Sequence, residues 1–260
     1  MHTVFCDGKN TPEEMVLAAI GRGVECMGFS GHSYSPGDAD TEIGMTDDVC
    51  RRYRDEICRL REKYAGEIEI LCGIEMDYWS ENDTSPFDYI IGSVHELRVP
   101  GGRALVDYSP ERQKEAIDRY FGGDPMGFAE CYFETEADVA GKTGCDIIGH
   151  FDLLTKFNER YPVFDTEDPR YIHAWQAAAD RLLGYGIPFE INTGAISRGW
   201  RTVPYPAPDM IGYIKNHGGR FVLSSDSHDC STICNKFDEL ENSCPDLILL
   251  TEAPRRNRQS

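Results

Sequence analysis

The sequence predicts an α/β fold in which βα units build a parallel sheet curled into a barrel. Two observations support this class: short apolar runs alternate with longer helical patterns, and imidazole or carboxylate side chains follow most of the runs. A chain of 260 residues suits one such barrel or two small domains. Because no linker, repeat or shift in composition interrupts it, we expect a single domain over residues 1–260.

Six apolar runs are the candidate strands, and each is short enough for a buried parallel strand. They comprise residues 26–30, 69–74, 89–94, 145–149, 188–191 and 220–224, with 247–250 as a further candidate.

Helix signals lie between the candidate strands. Thr11-Pro12-Glu13-Glu14 combines an N-cap residue, a proline at the first helical position and acidic residues in the first turn, and Ser109-Pro110-Glu111 repeats the pattern. Residues 47–64 and 168–183 have amphipathic spacing with mixed charges.

The charge balance restricts the partners that we expect. There are 45 acidic and 26 basic side chains, and the formal net charge is −19. Nucleic acid and anionic membranes attract a basic face, so neither is expected to bind. No apolar run approaches the roughly 20 residues of a membrane-spanning helix. The first residues, MHTVFCDGKN, lack the features of a secretory signal, and we expect a cytosolic protein.

Ten scattered cysteines form no CxxC pair. A disulfide framework or a thiolate zinc site is one interpretation, but structural zinc sites use close paired spacings. We therefore expect reduced thiols that serve as small apolar residues. Cys230 and Cys234 are the one pair with close spacing, and they are a weak indication of a site.

The residues that follow the candidate strands form an unusual set. Five of the six runs are followed by imidazole or carboxylate groups, namely His32, Glu75 with Asp77, His95 with Glu96, His150 with Asp152, and Asp226 with His228. The carboxyl ends of parallel strands meet at one face of a barrel, where active sites lie. Nitrogen and oxygen ligands at one face favour zinc, manganese or iron.

A structural role is the alternative for each of these residues. A single histidine at a strand end is more often a hydrogen-bonded structural residue than a ligand. Only seven histidines are present, however, and four of them follow strands. His173 and His217 fall within helical patterns and are interpreted as structural or exposed. The agreement among the strand ends favours a metal site.

The order of these motifs resembles that of the polymerase and histidinol phosphatase (PHP) superfamily. The segments that carry the resemblance are His2-Thr3, Ser30-Gly31-His32, Gly73-Ile74-Glu75, Gly92-Ser93-Val94-His95, Gly149-His150-Phe151-Asp152, Asn192-Thr193 and Ser225-Asp226-Ser227-His228. Within it, GSVHEL, GHFDLLTKF, and EINTGA followed by PYPAP resemble the histidinol-phosphate phosphatase branch. The resemblance covers nearly the whole chain.

The resemblance implies a distorted (β/α)7 TIM-like barrel whose metal centre hydrolyses phosphomonoesters. Two or three divalent ions, zinc, manganese or iron, are expected. The implied ligands are His2, Glu75 and Asp226 for one ion, Glu75, His95 and His150 for a second, and His32 and His228 for a third. Adjacent cations activate water and stabilise phosphoryl oxygens, so a metal-bound hydroxide would attack phosphorus. Asp226, His228 and Arg198 are the expected catalytic residues, and L-histidinol phosphate is the expected substrate.

Three basic side chains near the strand ends are candidate phosphate ligands. Arg198 and Arg201 follow Asn192-Thr193, and Lys156 follows His150. Arginine presents a planar fork that matches phosphate. A solvated loop charge is the alternative for each, and Arg198 is the strongest candidate.

The sequence departs from the family pattern at its first motif, usually Asp-x-His-x-His-Thr. Here the chain begins Met1-His2-Thr3, so the first histidine and most of the first strand would lie upstream. We expect a form with His-x-His restored to be more stable and more active. A further ligand to the third ion is expected near Gly8, and we assign Asp7, against the alternative that Asp7 only opens a turn.

Other functions compatible with the sequence remain open. The alternative substrates are another small phosphomonoester and a phosphotyrosine. The loops 34–46, 97–108 and 194–206 would select among them, and the sequence does not determine the shape of these loops. An amidohydrolase barrel also places histidines at strand ends. A third alternative is a catalytically impaired metal-binding barrel, which only the absent histidine favours. A structural barrel without metal is disfavoured, because it would leave buried imidazoles and carboxylates without partners. The oligomeric state and the general acid, a metal-bound water or His228, are not determined by the sequence.

Overall fold

The computed structural model describes residues 1–36, 44–243 and 247–253. In chain order the strands are β1 (Cys26–His32), β2 (Glu69–Asp77), β3 (Tyr89–Ser93), β4 (Glu96–Val99), β5 (Gly102–Leu105), β6 (Ile147–Ile148), β7 (Phe189–Asn192) and β8 (Phe221–Ser224). The helices are α1 (Pro12–Ile20), α2 (Asp47–Lys63), α3 (Pro110–Tyr120), α4 (Pro125–Glu136), α5 (Val139–Thr143), α6 (Pro169–Leu183), α7 (Gly194–Ser197), α8 (Pro208–Asn216) and α9 (Phe237–Ser243).

Six strands form a curled parallel sheet in the order β1-β2-β3-β6-β7-β8. The predicted α/β class and all six main candidate strands are confirmed. The chain start lies between the two outer strands: the carbonyl of Met1 accepts from the Ser30 amide (3.0 Å) and the His2 amide donates to the Ser227 carbonyl (2.9 Å). Residues 1–3 thus connect β1 with the segment that follows β8, at the place predicted for the first strand of the distorted barrel.

Two elements differ from the sequence predictions. The candidate strand 247–250 is wrong, because only Leu247 forms a single bridge, to Phe221, before a 3-10 turn at Leu250–Glu252. The antiparallel hairpin β4-β5 was not predicted. Neither strand is an apolar run, because charged and apolar residues alternate in β4 and β5 contains Arg103, which pairs with Glu96 across the hairpin.

The helices begin where the caps predict. The Thr11 hydroxyl accepts from the Glu14 amide while the Glu14 carboxylate accepts from the Thr11 amide, which completes a capping box at α1. Ser109, Asp124 and Asp168 cap α3, α4 and α6, each followed by a proline at the first helical position. No helix among the described residues is long and apolar enough to cross a membrane.

Strand alternation separates two apolar cores. On β2, Ile70, Cys72, Ile74 and Met76 pack against the outer helices, whereas Leu71 faces the barrel interior. The interior cluster is completed by Tyr89, Ile91, Ile147, Val222 and Ala253. Because alternate residues share a face, the interior row of β2 continues from Leu71 through Gly73 to Glu75.

Most of the cysteines in the described part of the chain are free thiols, namely Cys6, Cys50, Cys58, Cys72, Cys131, Cys230 and Cys234. Cys244 and residues 37–43 of the predicted pocket loop lie outside the described residues.

Candidate metal centre

All eight metal ligands proposed from the sequence converge at the carboxyl ends of the parallel strands. Two sets of donor atoms each lie within 4.8 Å of one another: one from His2, Asp7, His32 and His228, the other from His32, Glu75 and His95. His150 and Asp226 complete the cluster through direct contacts with Glu75 and His2. The arrangement follows from alternation, which directs His32, Glu75 and the residues after the other strands into the barrel mouth.

Glu75 lies at the centre of the cluster, and its two oxygens face different imidazoles. Oε1 lies 2.8 Å from Nε2 of His150 and 3.2 Å from Nε2 of His95. Oε2 lies 3.3 Å from Nε2 of His2 and 3.5 Å from Nδ1 of His32. The Ser93 hydroxyl fixes the carboxylate by donating to Oε1 at 2.9 Å. A carboxylate held in this way has the geometry of a bridge between two cations.

Two further carboxylates flank the remaining histidines. Oδ1 of Asp226 lies 3.0 Å from Nε2 of His2. Asp7 lies between two rings, with Oδ2 at 3.1 Å from Nε2 of His228 and Oδ1 at 3.6 Å from Nε2 of His32. The His2 and His228 rings stack with their centroids 4.0 Å apart. This packing brings nitrogen and oxygen donors together.

The backbone at Asp226 is adapted to this position. Its φ of 44° is in the left-handed region, which is uncommon for a residue with a side chain. Strained backbone conformations of this kind cluster at functional sites. A Cβ on Gly194 would approach Oδ2 of Asp226 to 2.4 Å. Glycine at the start of α7 is therefore required for the carboxylate to enter the cluster.

The charges of the cluster favour a bound cation. Burial acts to raise the pKa of Glu75, but His32 and hydrogen bonds with His150, His2 and His95 lower it well below its usual range. Burial lowers the pKa of His32 to about 4, so this imidazole is neutral at pH 7 with a lone pair available. Burial acts to lower the pKa of His2, His95 and His150, but the neighbouring carboxylates raise it, and a divalent metal with nitrogen and oxygen ligands would replace those protons. The donor set therefore fits zinc, manganese or iron.

Several residues orient the ligands, and the sequence reasoning assigned none of them a role. Oδ2 of Asp77 accepts from the His95 amide at 2.8 Å and lies 3.3 Å from its Nδ1. Oε2 of Glu190 accepts from the His150 amide at 2.9 Å. The Cys6 sulfur lies 3.6 Å from Nδ1 of His2. The alternation of β2 contained the signal for Asp77, because residues 75 and 77 share a strand face.

The three candidate phosphate ligands occupy different surroundings. Arg198 lines the cavity above the cluster and donates to Oδ2 of Asp226 and to Nδ1 of His228, both at 2.9 Å. Lys156 also lines it and donates to Oδ2 of Asp107 at 2.8 Å. Arg201 does not line this cavity.

Arg201 is instead part of the core beneath α7. It is 6% exposed, and its guanidinium donates to Asp152 (2.9 Å) and to Thr155 (2.7 Å). It also lies over the Tyr205 ring, 4.2 Å from the centroid. The structure therefore does not bring Arg201 together with the other candidate phosphate ligands, because Asp152 holds it in the interior.

The cavity above the cluster has a volume of about 440 Å³. Its floor is the metal-ligand cluster, and its walls include Arg198, Lys156, Asp107, Tyr108, Leu105 and Leu153. A space of this size suits a small molecule. The combination of a cationic fork, a lysine and a cluster of metal-ligand type is suited to holding a phosphate ester.

The curled α/β barrel and its clustered imidazoles and carboxylates define a candidate metallohydrolase. The PHP domain family matches residues 1–194. A Deinococcus radiodurans protein named "Probable histidinol-phosphatase" is 30% identical over 250 residues, which cover 91% of this chain and 88% of that protein. The chain belongs to the PHP domain family.

Two solved structures share the fold. That of a Listeria monocytogenes protein described as a "putative histidinol phosphatase" aligns with a TM-score of 0.79 at 23% identity, covering 92% of this chain and 97% of the other. That of the Lactococcus lactis histidinol phosphate phosphatase, complexed with zinc, L-histidinol and phosphate, aligns with a TM-score of 0.71 at 20% identity, covering 96% and 93%. At these identities the likeness supports the fold.

Proposed function

We propose that this protein is a metal-dependent phosphomonoesterase that hydrolyses L-histidinol phosphate to L-histidinol and phosphate, a step of histidine biosynthesis. The observation that carries the proposal is the arrangement of Glu75, whose two oxygens face separate pairs of imidazoles beneath a cavity that contains Arg198. The relative from Deinococcus radiodurans, at 30% identity, supports the choice of substrate.

The proposed ligand sets are those that the resemblance implies. His2, Glu75 and Asp226 would hold one divalent ion, Glu75, His95 and His150 a second, and Asp7, His32 and His228 a third. The bound ions would lower the pKa of a coordinated water toward neutrality and polarise the phosphoryl oxygens. Zinc, manganese and iron all suit the ligand types.

The basic residues of the cavity position the phosphoryl group. Arg198 presents a planar fork whose N–H groups donate to Asp226 and His228 when no anion is bound. In the complex we expect the same guanidinium to donate to phosphoryl oxygens, with Lys156 supplying a second positive charge from the cavity wall. Arg201 is not part of this proposal, because Asp152 and Thr155 engage it in the core.

A substrate panel tests the proposal. The metal-loaded protein is assayed for phosphate release from L-histidinol phosphate, phosphotyrosine and p-nitrophenyl phosphate. We expect kcat/KM to be highest for L-histidinol phosphate by at least an order of magnitude. A higher kcat/KM for either of the other esters would contradict the proposed substrate, and cleavage of an amide or lactone without phosphate release would indicate an amidohydrolase.

A further inference from the structure

The wall of the cavity contains one carboxylate that the metal-ligand cluster does not use. Asp107 lines the cavity between Leu105 and the exposed Tyr108. Oδ2 of Asp107 accepts from Lys156 at 2.8 Å. Oδ1 accepts no hydrogen bond from any side chain or amide in the described part of the chain. One oxygen of this carboxylate is therefore available to a ligand.

The other two non-ligand carboxylates of the cavity are engaged. Asp77 accepts from the amides of His95 and Trp79. Glu96 accepts from Ser35 at 3.1 Å and pairs with Arg103. Of the carboxylates that line the cavity without belonging to the metal-ligand cluster, Asp107 is thus the one with an unused acceptor among the described residues.

The backbone at Asp107 is fixed from two sides. The Val106 amide donates to the His95 carbonyl at 2.9 Å. The buried side-chain amide of Gln113 donates to the carbonyls of Val106 and Leu154, both at 2.7 Å. Gln113 thereby ties the segment that bears Asp107 to the 3-10 turn that precedes Lys156. A preorganised carboxylate of this kind loses little entropy when it binds a cation.

The carboxylate is ionised and close to the cluster. Burial acts to raise its pKa, but Lys156, His95 and His150 lower the pKa of Asp107 to about 2. The cavity therefore presents positive charge from Arg198 and Lys156, and a fixed negative charge from Asp107 beside apolar Leu105 and Leu153. This pattern is complementary to a molecule that carries a phosphate and an ammonium group close together on a short carbon chain.

We propose that Asp107 binds the ammonium group of the substrate and selects phosphate esters of 2-amino alcohols over esters that lack the amine. The inference rests on the proposed function, since L-histidinol phosphate carries its ammonium on the carbon next to the ester carbon. Tyr108, Leu105 and Leu153 provide the surface along which the rest of the molecule lies.

The test compares two ligand pairs that differ only in the amine. The first pair is L-histidinol phosphate and its deamino analogue, compared by kcat/KM. The second is 2-aminoethylphosphonate and ethylphosphonate, compared by calorimetric Kd, which needs no turnover. Both pairs are measured for the metal-loaded wild type, Asp107→Asn and Lys156→Met.

The proposal predicts that Asp107→Asn reduces the preference for the amine-bearing member of each pair about 30-fold. Lys156→Met is expected to weaken both members equally, so the preference is unchanged. If Asp107→Asn also weakened both members equally, Asp107 would act only by holding Lys156, and the proposal would be overturned. A protein that fails to hydrolyse L-histidinol phosphate but keeps the Asp107-dependent phosphonate preference would contradict the proposed function and support this inference.

Discussion

The Asp77 carboxylate contacts His95 at two points. Its Oδ2 accepts from the His95 backbone amide at 2.8 Å and lies 3.3 Å from the ring Nδ1. The opposite ring nitrogen, Nε2, lies 3.2 Å from Glu75. A carboxylate behind an imidazole fixes the tautomer and the orientation of the ring. Asp77 therefore positions His95 to present Nε2 to the metal-ligand cluster.

Asp77→Asn is expected to weaken metal binding about 10-fold to 100-fold, because the amide cannot hold the Nδ1–H tautomer in the same way. Affinity is measured by zinc titration against a competing chelator. Asp83→Asn is a matched control, since Asp83, like Asp77, accepts from the amide of the residue two positions on, but it is exposed. Equal zinc affinity in Asp77→Asn and the wild type would contradict the positioning role.

Arg198→Lys is expected to lower kcat/KM for L-histidinol phosphate about 10-fold to 100-fold. Lysine keeps the charge but loses the fork that reaches Asp226 and His228 together, and charge-assisted hydrogen bonds contribute about 1.5–3 kcal/mol. Arg160→Lys is the control, because Arg160 is exposed and stacks on Trp200. A value within twofold of the wild type for Arg198→Lys would exclude bidentate binding by this residue.

Arg201→Met is expected to act on stability. Asp152 would remain buried without its ion pair, which costs about 3–5 kcal/mol of unfolding free energy. Urea denaturation measures the loss. The double variant Arg201→Met, Asp152→Leu should be less destabilised, because neither charge remains. If Arg201→Met had the unfolding free energy of the wild type but a raised KM, the structural role would be contradicted and a role of Arg201 in phosphate binding would be supported.

The buried carboxyl group of Glu136 is expected to make the stability of the protein depend on pH. The side chain is 1% exposed on α4, and neither carboxyl oxygen has a hydrogen-bond partner among the described residues. Burial raises its pKa well above the usual value, opposed by His95 and reinforced by Asp77 and Asp152. Above pH 4.5 the native state therefore binds a proton that the unfolded state has lost, and stability falls as pH rises, by at most about 1.4 kcal/mol per pH unit.

The variant Glu136→Gln removes this titration. We expect its unfolding free energy, relative to the wild type, to increase between pH 5 and pH 8. Glu134→Gln, at an exposed position of the same helix, is the control and should follow the wild type. Parallel pH profiles for Glu136→Gln and the wild type would show that Glu136 is ionised in the folded protein.

The parts of the fold and site that could be predicted are those that depend on the local sequence pattern. The run before Glu75 is apolar and ends at a barrel mouth, so its position followed from the strand alone. Arg201 lies three residues beyond Arg198, and its position could not be predicted. The turn that follows the short helix α7 directs the chain inward, so that Arg201 contacts Asp152. Asp107 follows a hairpin whose charged strands give no apolar signal, so its approach to Lys156 depends on tertiary contacts.

The most direct test of the metal centre is phosphate release from L-histidinol phosphate by one preparation in three states: as loaded with zinc or manganese, after removal of metal by a chelator, and after reloading. We expect saturable turnover that falls at least about 100-fold on chelation and returns on reloading. Turnover that persists in the chelated, metal-free protein would contradict the central claim that the cluster around Glu75 is a catalytic metal centre.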